Sequence, residues 1–421
     1  MKRLYVWVRT MDGSLSLAGE LATTDPVSGG RFESEFEYAA QWVRDPAAFP
    51  LDPVSLPLRP LGQRFRAEQL YPPLAVIDDA LPDDWGRRLL AKALTMEGRS
   101  MSPPDMLLAL RGEGTGALLF TGTPQVPVLS STLHTRSLTT LLTAAAQFET
   151  GVLPADPMFR ELLEGSSGAG GARPKALVHD AHGEWIAKFP SRTRDGHHDV
   201  VGLEATCLRL ARLAGLTVPD SQLQRVGRRR VLLVRRFDVT PHGGRLHMVS
   251  MRTLCRERPG LYVTSYTDIA LLLSKHSVSP AEDVSALFRH MVFNAAIGNV
   301  DDHLKNFWML RTPAGYRLAP AFDLVPDTSG RGDHTLAFKH SFSPPTRRIL
   351  LNLAQDWHVT QAGETIDQAV EAVSAFRKTA IDLGVRPGAA LNAICADVTR
   401  RVAALTEVDA ATPAPGKIRG G

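Results

Sequence analysis

Within the stretch Asn299 to Phe307, NVDDHLKNF, the six residues Asp301 to Asn306 crowd two carboxylates, an imidazole, an ammonium and an amide between two apolar runs, MVFNAAIG before and FWML after. Asp301 and Asn306 stand five apart. That is the Asp-x-x-x-x-Asn spacing of a kinase catalytic loop, in which the aspartate accepts the proton of the attacking hydroxyl and the asparagine holds a Mg2+ ion. Seventeen residues further on comes Asp323, in LAPAFDLVP, after a strand–turn–strand pattern, FWMLRTPAGYRLAP. A second aspartate behind such a hairpin is placed to bind the metal that bridges the phosphates. Amide and carboxylate oxygens suit Mg2+, which takes few protein ligands. Three simpler readings use the same residues: Asp301 or Asp302 as a turn cap, Asp302, His303 and Asp323 as a transition-metal site, or His303 as a hydrogen-bonded core histidine.

Two upstream features bear on the choice. Lys188 ends the run WIAKFP, and Glu204 follows sixteen residues later inside VVGLEATCLRLARLAG, a segment of helical periodicity with a glycine stop at Gly215. A strand lysine and a helix glutamate form the ion pair that positions nucleotide phosphates in kinases, although sequence alone does not show that the two meet. Ahead of both lies Gly165–Lys175, GSSGAGGARPK. Its glycines let backbone N–H groups converge on an anion, and Lys175 adds a point charge. The run matches neither GxxxxGK[ST] nor GxGxxG, and a flexible linker explains it equally well. His197-His198-Asp199 resembles a ligand cluster but sits in the polar stretch SRTRDGHHD, where a solvated loop is the simpler reading.

These residues need a scaffold of strands in front and helices behind. LYVWVRT has strand composition, MDGS is a turn and FPLDPVSLPLRP an irregular connection. PDDWGRRLLAKALTM opens with proline and acids, good first-turn residues. SLTTLLTAAAQFET reads as a helix, ALVHD and WIAKF as a hairpin, and RRRVLLVRRFD as a buried strand. From residue 260 helices dominate, and the last dozen residues read as a disordered tail. No apolar run approaches the roughly 18 residues of a membrane span. Three well-separated cysteines, Cys207, Cys255 and Cys395, give neither a disulfide framework nor a zinc knuckle. A cytoplasmic setting is expected. The net charge of +4 is modest; the run RVGRRRVLLVRR is either a nucleic-acid surface or a solvated strand edge. Only nine of the 48 basic residues are lysines, and Lys175, Lys188 and Lys305 all fall within the segments that could do chemistry.

Taken together, GSSGAGGARPKA, WIAKFP, ExxCLRLARLAGLTVP, VRRFD, FNAAIGNVDDHLKNF and RLAPAFDLVP resemble the HipA family, the serine/threonine-kinase toxins of type II toxin–antitoxin systems. The likeness extends forward through SLPL, IDDALPDDWGRRLL and LRGEGTGALLF, and so covers roughly residues 3–400. It implies an α+β, two-lobed kinase-like fold of the phosphatidylinositol-kinase-related type. The expected parts are an additional N-terminal α/β subdomain (1–125), a lobe carrying the glycine loop and hinge (126–240), a mainly helical lobe carrying the catalytic and metal sites (241–408) and a tail (409–421). It implies ATP and Mg2+, with Asp301 as catalytic base and Asn306 and Asp323 as metal ligands. The ATP contacts would come from Gly170, Gly171, Ala172, Lys175, Lys188, the hinge residues Arg235, Arg236 and Phe237, and His303. Family members silence themselves by phosphorylating a serine seven residues before the loop lysine. Here that position is Gly168, leaving Ser166 and Ser167 as the nearest hydroxyls. The resemblance further implies a protein substrate such as an aminoacyl-tRNA synthetase and a small helix-turn-helix antitoxin partner, through which alone DNA would be met. Two other classes fit the residues: a kinase-like scaffold that binds an antitoxin and DNA without catalysis, and a small-molecule or lipid kinase.

Overall fold

The computed structural model describes residues 2–24, 33–58, 60, 62–67, 75–99, 102–110, 114–129, 137–166, 168, 170–255 and 264–407. The chain begins with strands β1 (Lys2–Arg9), β2 (Leu15–Thr23) and β3 (Ser34–Tyr38), then helix α1 (Ala40–Arg44) and strand β4 (Arg64–Ala67). Three helices follow, α2 (Ala75–Asp79), α3 (Asp84–Met96) and α4 (Pro103–Ala109), before strand β5 (Leu118–Thr121). The five strands form one antiparallel sheet in the order β4-β3-β2-β1-β5. Alternation places Leu4, Val6 and Val8 of the interior strand β1 in the core.

Helices α5 (Leu138–Glu149) and α6 (Asp156–Ser166) lead into the hairpin β6 (Lys175–Asp180) and β7 (Gly183–Lys188). Helix α7 (Val200–Leu213) and strands β8 (Ser221–Val226) and β9 (Arg229–Arg235) complete a second antiparallel sheet, β6-β7-β9-β8. Both of its faces are covered. Ala176, Val178, Trp185, Ala187, Val231 and Leu233 pack on α5, α6 and on Trp85 and Leu89 of α3, whereas Leu232 and Val234 join the core that includes α7. Gly165 and Ser166, which the sequence assigns to the glycine loop, instead form the last turn of α6, because Phe159 and Leu162 bury that helix to its end.

The remaining chain is mostly helical. Strand β10 (Met248–Ser250) pairs with β11 (Trp308–Thr312), and β11 with β12 (Gly315–Leu318). Between β10 and β11 run α8 (Met251–Leu254), α9 (Tyr266–His276), α10 (Pro280–Ile297) and a short 3-10 turn, Leu304–Asn306. Helices α11 (Arg347–Asp356), α12 (Ala362–Ser374), α13 (Phe376–Asp382) and α14 (Ala389–Thr406) close the chain. Helix α10 is the hub, packed against α9, α12 and α14. It stops at Gly298, whose φ of 71° is the left-handed cap that releases the chain into NVDDHLKNF. No described helix is long and apolar enough to cross a membrane.

Candidate active site

The β6–β7 register sets Lys175 directly opposite Lys188, so both lysines leave the sheet side by side. A slip of one residue would send one of them to the opposite face. Lys188 lies on the face covered by α7. There its Nζ donates to Glu204 Oε1 at 2.5 Å and to Asp323 Oδ1 at 2.7 Å. One ammonium thus serves two carboxylates. Burial disfavours charge on Lys188, but Asp323 and Glu204 outweigh it and hold the amine above its ordinary range. For Asp323 burial again works against ionisation, and the neighbouring Lys188 and Lys175 overcome it, keeping the carboxyl well below the usual value. Glu204 shifts the other way, raised by burial because Lys188 only partly compensates and Asp323 repels it. Lys175, buried beside Lys188, is lowered. Asp323 also adopts φ 56°, a left-handed conformation that costs a non-glycine residue roughly 1 kcal/mol and persists where surrounding contacts impose it.

The two adjacent aspartates of the opening motif face different surroundings. Asp301 has an exposed carboxylate, and its carbonyl accepts from Asn306 Nδ2 at 2.7 Å. This leaves the Asn306 amide oxygen as the group able to meet a cation. Asp302 is fully buried. Its Oδ2 accepts from Tyr266 Oη at 2.7 Å and His334 Nδ1 at 2.9 Å, and its Oδ1 from the Thr335 N–H at 2.7 Å. The network continues on both sides, from Tyr266 to Asn294 and Asn299 and from His334 to Arg401 of α14. Burial raises the Asp302 carboxyl and these donors more than offset it, so its pKa falls below the ordinary range. With Asp302 so engaged, a transition-metal site of Asp302, His303 and Asp323 does not form; among the described residues no three His, Cys, Asp or Glu side chains converge as a metal cluster. His303 is only partly buried and lies near enough to Asp323 to help lower its pKa.

A residue not singled out from sequence joins the set. Asp83, at the N-terminus of α3, accepts from Lys305 Nζ at 2.6 Å through Oδ1 and from the Gly171 N–H at 2.7 Å through Oδ2. Trp85 adds two bonds to the same region, its N–H to Gly171 O at 3.3 Å and its Nε1 to Lys175 O at 3.2 Å. Helix α3 therefore seats the glycine loop against the NVDDHLKNF turn. Gly171 has φ 101°, and a Cβ there would collide with Lys175 Nζ, so glycine is required on two counts. Gly170 lies beside Asp83 and Ala172 follows in the same loop.

At the expected hinge, Arg235 is exposed with its guanidinium over the Trp185 ring at 6.0 Å. Arg236 turns inward, pairing with Asp238 at 2.6 Å and Glu184 at 3.1 Å and donating to Gly114 O at 2.8 Å. Its guanidinium is thus committed to packing β9 against the segment before β5, and what the hinge can offer a nucleotide is main chain and Phe237. Phe237 stacks at 5.7 Å on Phe322, the neighbour of Asp323. Of the two serines, Ser166 is completely buried with no partner for its hydroxyl among the described residues; Ser167 lies outside the described residues. Gly168 is buried as well.

Comparison with known proteins places the chain in a family. Residues 167–398 match the HipA-like C-terminal domain and residues 14–121 the HipA N-terminal domain. Two Sinorhizobium fredii proteins are similar in sequence. "Putative kinase Y4mE" is 28% identical over 69% of this chain and 71% of its own, and "Putative kinase Y4dM" is 31% identical over 46% of this chain and 51% of its own. In fold the chain is similar to one from the Shewanella oneidensis MR-1 toxin–antitoxin system HipA, HipB and its operator DNA complex. The TM-score is 0.66 at 19% identity, covering 96% of this chain and 97% of that one. With a mixed α/β fold and both domains matched in order, the chain belongs to the HipA family.

Proposed function

We propose that this protein is an ATP- and Mg2+-dependent serine/threonine protein kinase acting as the toxin of a type II toxin–antitoxin module. The observation that carries the reading is the Lys188 ammonium held between Glu204 and Asp323, which joins a strand, a helix and a loop spread over 135 residues. In this reading Asp301 takes the proton from the substrate hydroxyl; its exposure leaves it open to a protein side chain. Lys188 and Lys175 hold the phosphates, with the N–H groups of Gly170, Gly171 and Ala172 around them and His303 beside Asp323. For a phosphate to reach the Gly171 N–H, the Asp83 carboxylate must give it up. Phe237 and the main chain of Arg235 and Arg236 meet the adenine. The Asn306 amide oxygen and the Asp323 carboxylate are hard oxygen donors that fit Mg2+, which when bound would neutralise phosphate charge. Catalysis then rests on positioning and charge compensation.

The same reading includes a phosphatidylinositol-kinase-related two-lobed core, divided near residues 125 and 240 behind an N-terminal subdomain. It also includes a cytoplasmic location, a translation component such as an aminoacyl-tRNA synthetase as substrate, and a small helix-turn-helix antitoxin as partner. Autophosphorylation at Ser166 would require the last turn of α6 to unwind. Transfer of label from γ-labelled ATP to protein in a lysate, present in the wild type and absent in Asp301→Ala, is the expected result. ATP binding without transfer to any protein would favour a scaffold, and label found only in metabolites or lipid a small-molecule kinase.

A further inference from the structure

Two sequence features take no part in the site above, the arginine run RVGRRR and the triplet His197-His198-Asp199. The fold brings them together. A cavity of about 710 Å3 opens between the β8–β9 turn, the segment ahead of α7 and the α13–α14 connection. Arg225, Arg228, Arg229 and Arg230 line it from the turn and Arg386 from the connection, with His197 and His198 between.

Among the residues that line the cavity, two acids, Asp199 and Asp382, stand against these five arginines. Asp199 is already engaged, paired with Arg230 and capping α7 through the Gly202 N–H. Arg230 also donates to the Leu383 carbonyl, so the turn and the connection are tied at one edge of the cavity. Arg228, Arg229 and Arg386 have no ion pair among the described residues, and Arg228 and Arg386 are exposed. The cations act on one another: burial first and then Arg386 lower the Arg230 pKa, while burial and Arg192, opposed by Glu149, lower that of Arg229. A concave site walled by one sign of charge concentrates anions, and guanidinium forks match phosphate oxygens two at a time. The volume is that of a small-molecule site.

We propose that this cavity binds a compact anion carrying two or more linked phosphates, bridging Arg228 and Arg229 to Arg386 on the opposite wall. Guanidinium forks on both walls suit a ligand that carries more than one phosphate group. The cavity shares no lining residue with the candidate active site, and the inference does not rest on the phosphotransfer reading. Helix α7 borders both sites, since Leu203 lines the cavity and Glu204 beside it holds Lys188.

The test is calorimetric titration of inorganic tripolyphosphate into the full chain at low salt, in a Lys188→Met background that weakens anion binding at the candidate active site. The expected result is one equivalent bound, an affinity at least about ten-fold lower when Arg228→Ala and Arg386→Ala are added, and weakening with added salt. Both arginines are exposed, so the added substitutions are expected to shift the melting temperature by no more than about 2 °C. No binding in the Lys188→Met background, or binding indifferent to the two arginines, overturns the proposal. Random-sequence duplex DNA that displaces tripolyphosphate and depends on the same arginines would overturn it in favour of a nucleic-acid surface.

Discussion

Replacing each of two neighbouring aspartates by asparagine should give opposite phenotypes. Asp301 is exposed and its carboxylate has no hydrogen bond or ion pair among the described residues, so Asp301→Asn should leave stability unchanged within about 0.5 kcal/mol and abolish phosphoryl transfer. Asp302 is buried among donors alone. His334 gives its Nδ1–H to Asp302 and receives Arg401 Nη1 on Nε2 at 3.1 Å, so its tautomer is fixed from both sides. An asparagine can still accept from Thr335 with its oxygen, but its NH2 then points at the His334 N–H. Loss of one hydrogen bond to a charged group costs about 1.5–3 kcal/mol, and a buried donor facing a donor adds about 1–3 kcal/mol. A net of about 3–5 kcal/mol follows. For a chain of 421 residues unfolding as a unit this lowers the melting temperature by roughly 3–6 °C. The effect should fade in acid. The folded pKa of Asp302 lies below the ordinary 3.8, so its contribution is complete well above 3.8, begins to be lost below it and is gone only once pH has fallen through the folded pKa. Thermal melts of the two variants from pH 7 down to about 2 measure this directly. If Asp302→Asn melts with the wild type at pH 7, or Asp301→Asn loses as much stability, the division of labour is wrong.

Other expectations can be checked alongside. Lys188→Met leaves Glu204 and Asp323 as uncompensated neighbours and should reduce kcat/KM for ATP by about 100-fold or more, roughly 3 kcal/mol, with Lys188→Arg restoring little because a guanidinium cannot occupy the compact position; a ten-fold loss or less would place the phosphates elsewhere. Gly171→Ala should impair ATP binding without unfolding the protein, measured as a raised Kd with a melting temperature lower by about 1–3 °C, since the Lys175 ammonium must move and an alanine at φ 101° adds roughly 1–3 kcal/mol of backbone strain. His247 and His290 are buried with pKa values lowered to about 4, chiefly by burial. Each therefore favours the folded state fully above pH 6.5 and loses about 3 kcal/mol of that as pH falls to 4. Urea midpoints should drop across that window, and His290→Phe should flatten the drop.

What the sequence discloses and what it hides follow a physical division. The hairpin, α7 and the NVDDHLKNF turn carry strong local patterns, and the order Lys188, Glu204, Asp301, Asn306, Asp323 is itself a constraint, so the ion pair could be anticipated before any contact was seen. Asp83 could not. It lies 222 residues from Lys305 and locally is only a good first-turn acid. Asp301 and Asp302 are identical in type and adjacent, and only the side of the turn that meets α9 and His334 separates a solvent-facing carboxylate from a buried brace. Gly165 and Ser166 look like loop because of their composition, yet Phe159 and Leu162 anchor the helix that contains them. Arg236 is a third case, where a residue type that suits a nucleotide is taken up by Glu184 and Asp238.

Arg401 is 1% exposed, bonded to His334, to Asp397 at 2.6 Å and to the Gly332 carbonyl at 2.8 Å. The support beneath the catalytic turn thus comes from a residue one hundred positions later in the chain. At about 5–20 residues per second of synthesis, the turn leaves the ribosome roughly 5–20 s before its brace exists. Until Arg401 arrives, His334 lacks its outer partner, and Asp302 is held by Tyr266, Thr335 and His334 alone. On the toxin reading proposed above, that delay gives a partner made at the same time an interval in which to bind before the turn is fully braced.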